Sequence, residues 1–200
     1  MDRQNKSVAE LKVRISSGDF KALDELYNSY YKKLKLYGQK FSPKLVSYSV
    51  EDSVQELFIW IAQNHRNLKT IDNLEVYMFS ALKKNIYQEI QKKDKRQKLK
   101  DRFFQTTTSE THENSIEHKL ISAEETTSDK SYLESILNSL PPQQKEVLYL
   151  RHYIGMCFKE IASVMDLSEQ VVRNYSHRAL KNIRAQRPNH TTRREEKKVD

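Results

Sequence analysis

The stretch FKEIASVMDLSEQVVRNYSHRALKNIR, Phe158 to Arg184, decides how this chain is read. Ile161, Ala162 and Met165 repeat at helical spacing over about two turns. After a break at Met165-Asp166-Leu167-Ser168, Val172, Tyr175, Ala179 and Ile183 recur at steps of three and four. A short helix joined by a tight turn to a longer one, with a small residue (Ala162) where they cross, is the geometry of a helix-turn-helix. The turn position that favours glycine for its positive φ carries Asp166, which tolerates the left-handed region better than most residues but still has a Cβ to accommodate. Ser168 is a sound N-cap for the second helix.

Opposite the apolar stripe, Glu169, Gln170, Arg173, Asn174, His177, Arg178 and Lys181 point outward, and residues 169–187 carry a net charge of +4. A charged face alone is what any solvated αα-hairpin shows. The crossing alanine, the turn, the cap and a basic-amidic face in one place point instead to duplex DNA. Ser168 joins those seven residues as the candidate DNA-binding set.

Two hundred residues allow one or two domains, and 31% charged against 37% hydrophobic residues fits small helical units with lean cores. The single cysteine, Cys157, excludes a disulfide framework and a cysteine-rich zinc site, and is expected as a buried or capping side chain without chemistry. No apolar run approaches the ~18 residues of a membrane span, and the amino terminus has no signal-peptide core, so a cytoplasmic protein is expected. The net charge of +8 is unevenly spread. Residues 1–82 carry +2, 83–102 +6, 103–135 −5, 136–187 +4 and 188–200 +1. Two basic surfaces flanking an acidic connector fit two separate contacts with a polyanion.

The periodicity predicts helices over Val8–Ser16, over residues 20–41 with Asp19 as cap, over "SVEDSVQELFIWIAQN" with Ser49 or the nearby acids at its start, and over a long basic helix from Leu74 to Lys100. "HRNLKTIDN", His65–Asn73, reads as a polar loop. The Ser/Thr/Glu-rich segment before Tyr132 reads as linker. Beyond it, prolines suited to a first helical turn precede a helix in which Leu148, Tyr149 and Tyr153 pack under the helix-turn-helix. The expected architecture is all-α: an amino-terminal helix in 1–17, a helical domain over 18–97, an acidic linker over 98–131, a second domain over 132–187 and a charged tail over 188–200. Enzyme motifs, glycine-rich phosphate loops and metal-ligand spacings are absent, so neither catalysis nor a cofactor nor a metal is expected.

A second motif lies in Glu51–Phe58, where Asp52, Gln55 and Glu56 sit at helical steps beside apolar Val54, Leu57 and Phe58. The plain reading is a solvated acidic face; the sharper one is a docking face for a basic helix. The D-x-x-Q-E-x-F pattern, the loop after it and the helix "LEVYMFSALKKNIYQEIQKKDKR" resemble the second region of the sigma-70 family. "LPPQQKEVLYLRHYIGMCFKEIASVMDLSEQVVRNYSHRALKNIR" resembles its fourth. With only these two regions and a short tether, the chain is similar to the extracytoplasmic-function group of alternative sigma factors, over about residues 18–96 and 132–186.

The resemblance implies a transcription initiation factor that binds core RNA polymerase and promoter DNA. Asp52, Gln55, Glu56 and Phe58 would dock on the clamp helices of the largest subunit, and the carboxy-terminal module on the flap. The loop His65–Asn73, with Asn67, and the helix residues Tyr77, Lys83, Lys84, Asn85, Gln88, Lys92 and Arg96 would meet and open the −10 element, the loop holding an unstacked base. Lys84 stands where relatives often have Asn, which implies a phosphate contact there. The helix-turn-helix would read the −35 element, Arg173 suiting guanine and Asn174 or Gln170 adenine. An anti-sigma partner is implied; membrane insertion and a small-molecule substrate are not. Two readings stand beside this one: a dimeric helix-turn-helix repressor or activator, and a helical adaptor that binds only protein.

Overall fold

The computed structural model describes residues 2–41, 47–104, 136–137 and 139–186. Those residues form α-helices with short 3-10 and π turns, and no strand. The chain divides into two compact units, residues 1–122 with 162–166, and residues 123–161 with 167–200.

The amino-terminal unit contains α1 (Asp2–Ser16), α2 (Phe20–Phe41), α3 (Ser47–Gln63), a 3-10 turn (His65–Thr70) and α4 (Leu74–Phe104). Each helix buries one stripe. Val8, Leu11 and Ile15 come from α1; Ala22, Leu26, Tyr30, Leu34 and Tyr37 from α2; Val50, Val54, Leu57, Phe58 and Ile61 from α3; Leu74, Met78, Phe79, Leu82 and Ile86 from α4. The α2 stripe begins at Ala22, and Leu23 beside it is half-buried. Phe79 lies wholly in the core.

Local signals set the first corner. Gly18 takes φ 94°, Asp19 Oδ1 accepts the Lys21 N–H at 3.0 Å, and Arg14 reaches from α1 to both Asp19 and Glu25. Its hydrogen bonds to those carboxylates hold the guanidinium firmly protonated and Asp19 below its ordinary range. Farther along α2, a Cβ at Gly38 would collide with the Val50 side chain, so only glycine lets α3 approach so closely. Lys35 and Glu51 close the same interface with an ion pair at 2.6 Å.

The carboxy-terminal helices are α5 (Pro142–Leu148), running into a π-helical turn (Tyr149–Ile154), α6 (Phe158–Met165) and α7 (Glu169–Ala185). Pro142 opens α5, where its missing N–H costs nothing. The π turn ends at Gly155 with φ 97°. Leu140, Leu148 and Ala179 form a small core, with Leu137, Leu180 and Ile183 packed against it.

Several expectations need amending. His65–Thr70 is an ordered 3-10 turn rather than a loop, because Leu68 points inward and is completely buried. The helix α4 continues past residue 97 to Phe104, so no break falls at that boundary. Helix α3 begins at Ser47, two residues before the expected cap Ser49. In the carboxy-terminal unit Val147, Leu150 and Ile154 are buried, whereas Tyr153 is exposed and stacks on Tyr149 at 4.9 Å. Cys157 is exposed; its N–H donates to Glu160 Oε2 at 2.7 Å, the half of a capping box that a side chain three residues on supplies. The linker from residue 105 on, the return of order at Tyr132 and the tail lie outside the described residues.

Candidate functional site

The helix-turn-helix has the local geometry its sequence predicts. Asp166 is left-handed at φ 54°, the sole non-glycine residue of positive φ among the described ones. Ser168 is extended, and its hydroxyl accepts the Val171 N–H at 3.4 Å, so α7 starts where the cap places it. Val172 and Ala179 are buried, joined by Ser176, a polar residue the periodicity missed; Tyr175 and Ile183 are half-buried. Gln170, Arg173, Asn174, His177, Arg178 and Lys181 are exposed along α7, with Glu169 half-buried at its start.

That face is not a row of free side chains. Arg173 forms an ion pair with Glu169 one turn back, and Gln170 Nε2 donates to Asn174 Oδ1 at 3.3 Å. The guanidinium of Arg173 also lies over the Phe158 ring at 4.7 Å, and that of Arg151 over the same ring at 4.8 Å. Arg151 further donates to the Met156 carbonyl at 2.9 Å. Phe158 thus positions Arg173, a role invisible in the sequence because ring and guanidinium meet only across the turn. Arg178 and Lys181 carry the outward positive charge farther along α7, with His177 exposed beside them.

In the amino-terminal unit, α3 and α4 enclose a groove of about 600 Å³. Its lining includes Glu56, Trp60, Tyr77, Lys84, Asn85 and Gln88. One docking candidate and four −10 candidates therefore share a surface. The Trp60 and Tyr77 rings meet at 5.2 Å with an interplanar angle of 34°, and burial pushes the Tyr77 phenol above its ordinary value. Trp60 was absent from the sequence candidates because its position on α3 falls between the apolar stripe and the acidic one. Ser80 and Ala81, also on the wall, are short and leave the groove open. Lys83 is half-buried. Lys92 and Arg96 are exposed farther along α4, Lys92 paired with Glu89 at 2.7 Å, which lowers the Glu89 carboxyl below its ordinary range.

On the acidic stripe, Gln55 and Glu56 are exposed and Asp52 is half-buried. Phe58 must be withdrawn from the docking set. It is 6% exposed, and its ring meets that of Tyr27 edge-on at 4.9 Å inside the core. The D-x-x-Q-E-x-F spacing puts the phenylalanine six residues after the aspartate, about 240° round the helix, on the inner face. Asn67 is exposed on the 3-10 turn. Among the described residues no group of His, Cys, Asp or Glu is arranged to hold a metal, and no helix is long and apolar enough to cross a membrane.

Comparison with known proteins bears on both units. The family model "Sigma-70, region 4" matches residues 130–183. The chain is 36% identical over 58 residues to the ECF RNA polymerase sigma factor ShbA of Streptomyces griseus. That match spans 29% of this chain and 30% of ShbA. Among solved structures, CnrH in complex with the cytosolic domain of CnrY is similar with a TM-score of 0.53 and 19% identity, over 90% of this chain and 96% of that one. The sigma factor RpoE of Bartonella quintana, solved with the anti-sigma factor NepR, also has a TM-score of 0.53, at 17% identity over 82% and 94% of the two chains. At such identities the two structures establish a shared fold.

Proposed function

We propose that the chain is a sigma factor of the sigma-70 family, in its extracytoplasmic-function group, which recruits core RNA polymerase to promoters and helps open them. The region 4 match falls on the segment where a left-handed Asp166 and a Ser168 cap build a helix-turn-helix with a basic, amide-rich face. That coincidence of family and local geometry carries the proposal.

The division of labour follows from the chemistry of each surface. The helix α7 offers Arg173, Asn174 and Gln170 to base edges of a −35 element, with Arg178 and Lys181 on phosphates. The groove between α3 and α4 combines an aromatic pair, two amides and a lysine, which suits a single strand: π-faces stack on bases while the cation meets the backbone. The basic length of α4 continues that track. Asp52, Gln55 and Glu56 form the docking face for the basic clamp helices of the polymerase, and the carboxy-terminal unit meets the flap. By analogy with RpoE bound to NepR, an anti-sigma partner regulates access to these surfaces.

Co-purification with bacterial core polymerase tests the reading, comparing wild type with the double change Gln55→Ala/Glu56→Lys. Association of wild type, lost in the double variant, supports it. No association, together with tight binding of duplex DNA by a dimer of the free chain, overturns it in favour of a conventional repressor or activator.

A further inference from the structure

The 3-10 turn and the residues after it are tied down from within and from outside. Leu68 is the buried anchor. The Ile71 N–H donates to the Leu68 carbonyl at 3.1 Å, the Thr70 hydroxyl to the Asn67 carbonyl at 2.8 Å, and Asn73 Oδ1 accepts the Val76 N–H at 3.1 Å, capping α4. The outside tie comes from α1, which packs along this turn. There Lys12 Nζ donates to the Ile71 carbonyl at 2.7 Å and lies 3.4 Å from that of Asp72. The residues left exposed on the segment are Arg66, Asn67, Lys69, Thr70 and Asp72.

We propose that Lys12 is a positioning residue for strand capture by the 65–73 segment, so that α1 belongs to the promoter-opening apparatus. This rests on the reading above, in which that segment meets the −10 strand. Two effects combine. The ammonium fixes the carbonyls that end the turn, holding the exposed side chains in one arrangement before DNA arrives, and preorganisation lowers the ordering cost of binding. It also offsets the negative end of the turn, which would otherwise repel an approaching phosphate. The tie spans 59 residues of sequence, from a helix that precedes the whole −10 apparatus.

The test uses the full chain assembled with core polymerase, transcribing fragments of the source organism's genomic DNA, with transcript 5′ ends sequenced. Lys12→Met keeps the length of the side chain and removes the donor; Lys12→Arg keeps charge and donors. The expected result is that Lys12→Met co-purifies with core polymerase as wild type does, yet initiates about tenfold less at wild-type start sites, as loss of a charged hydrogen bond implies. Backbone amides of residues 66–73 exchange hydrogen faster in that variant, and Lys12→Arg restores both readouts. Lys12→Met initiating at the wild-type level overturns the proposal. Equal loss of core association overturns it too, by revealing a general folding defect. A wild-type complex that forms but starts nowhere on the fragments overturns the promoter reading itself, and this inference with it.

Discussion

The two units hold their polar surface groups in different ways. In the amino-terminal unit several ties are long-range: Lys12 to the Ile71 carbonyl, Tyr30 to Glu75 at 2.7 Å, Lys35 to Glu51. Among the outward residues at the start of α7 the pairs are one turn long, Glu169 to Arg173 and Gln170 to Asn174, while Asn182 and Gln186 at its far end reach back to Gln144 and Ser139. A long-range tie exists only when the fold does, and it fixes a surface in advance. An exposed pair one turn apart contributes about 0.3–0.5 kcal/mol and is given up readily to a better partner. In the proposed function the first unit would then serve as a shaped platform, and the second as a reader whose side chains exchange partners as they meet a base edge.

Removing the anchor of the platform should have the largest effect. Leu68→Ala empties a fully buried site and should cost about 2–5 kcal/mol, read as a lowered calorimetric transition; a change under 1 kcal/mol would mean the turn is not fixed from within. Next comes Tyr30→Phe, which takes a donor from the buried Glu75 carboxyl at an expected ~1–3 kcal/mol. The same variant has a signature in pH. Burial, reinforced by the Glu75 charge, holds the Tyr30 phenol well above its ordinary value. The unfolded chain ionises this phenol near pH ~10 while the folded chain keeps it neutral. Its contribution is thus complete below that pH and lost as pH climbs above it. Wild type should lose stability more steeply than Tyr30→Phe on that alkaline limb; parallel curves would assign the limb to other groups.

Smaller effects are expected in the reader. Asp166→Val places a β-branched side chain in the left-handed region and should cost about 1–2 kcal/mol, whereas Asp166→Gly should be neutral or slightly stabilising. If both variants unfolded together with wild type, the turn would carry no strain. The smallest and most telling change is Glu169→Gln. It costs a few tenths of a kcal/mol in helix stability but frees Arg173 and removes a negative charge from the proposed DNA face. Duplex affinity, measured with polymerase bound, should rise severalfold with a steeper salt dependence; weakened binding would show that Glu169 orients Arg173 productively.

The same contrast explains what could be read from the chain alone. The helix-turn-helix is made of signals a few residues apart: Asp166 in the turn, Ser168 at the cap, the stripe from Val172 to Ile183. All of these appear in the structure where the sequence placed them, save that Ser176 is buried as well. The helices of the first unit were equally legible from their period. Its groove was not, since Trp60 meets Tyr77 across seventeen residues and a helix reversal. Leu68 sits among Arg, Asn, Lys and Thr, so its segment read as a polar loop although one leucine suffices to anchor a turn. Phe58 is the opposite case: it belongs to the same short motif as Gln55 and Glu56, but helical phase turns it inward. Periodicity reports which side of a helix is dry; it does not report what stands opposite.

The length of α4 has one more consequence. Its last fully described core residue is Ile86, yet the helix runs on to Phe104. Residues 83–96 carry a net charge of +4, and at 1.5 Å per residue they span about 21 Å, or one net positive charge every ~5 Å. One strand of a B-form duplex presents a phosphate roughly every 3.4 Å along its axis. In linear charge density this stretch of the helix is thus about two-thirds of the strand it would lie beside, opposite in sign. Under the proposed function such a rod would neutralise most of a strand without exceeding it, so that the strand is held yet still able to slide on.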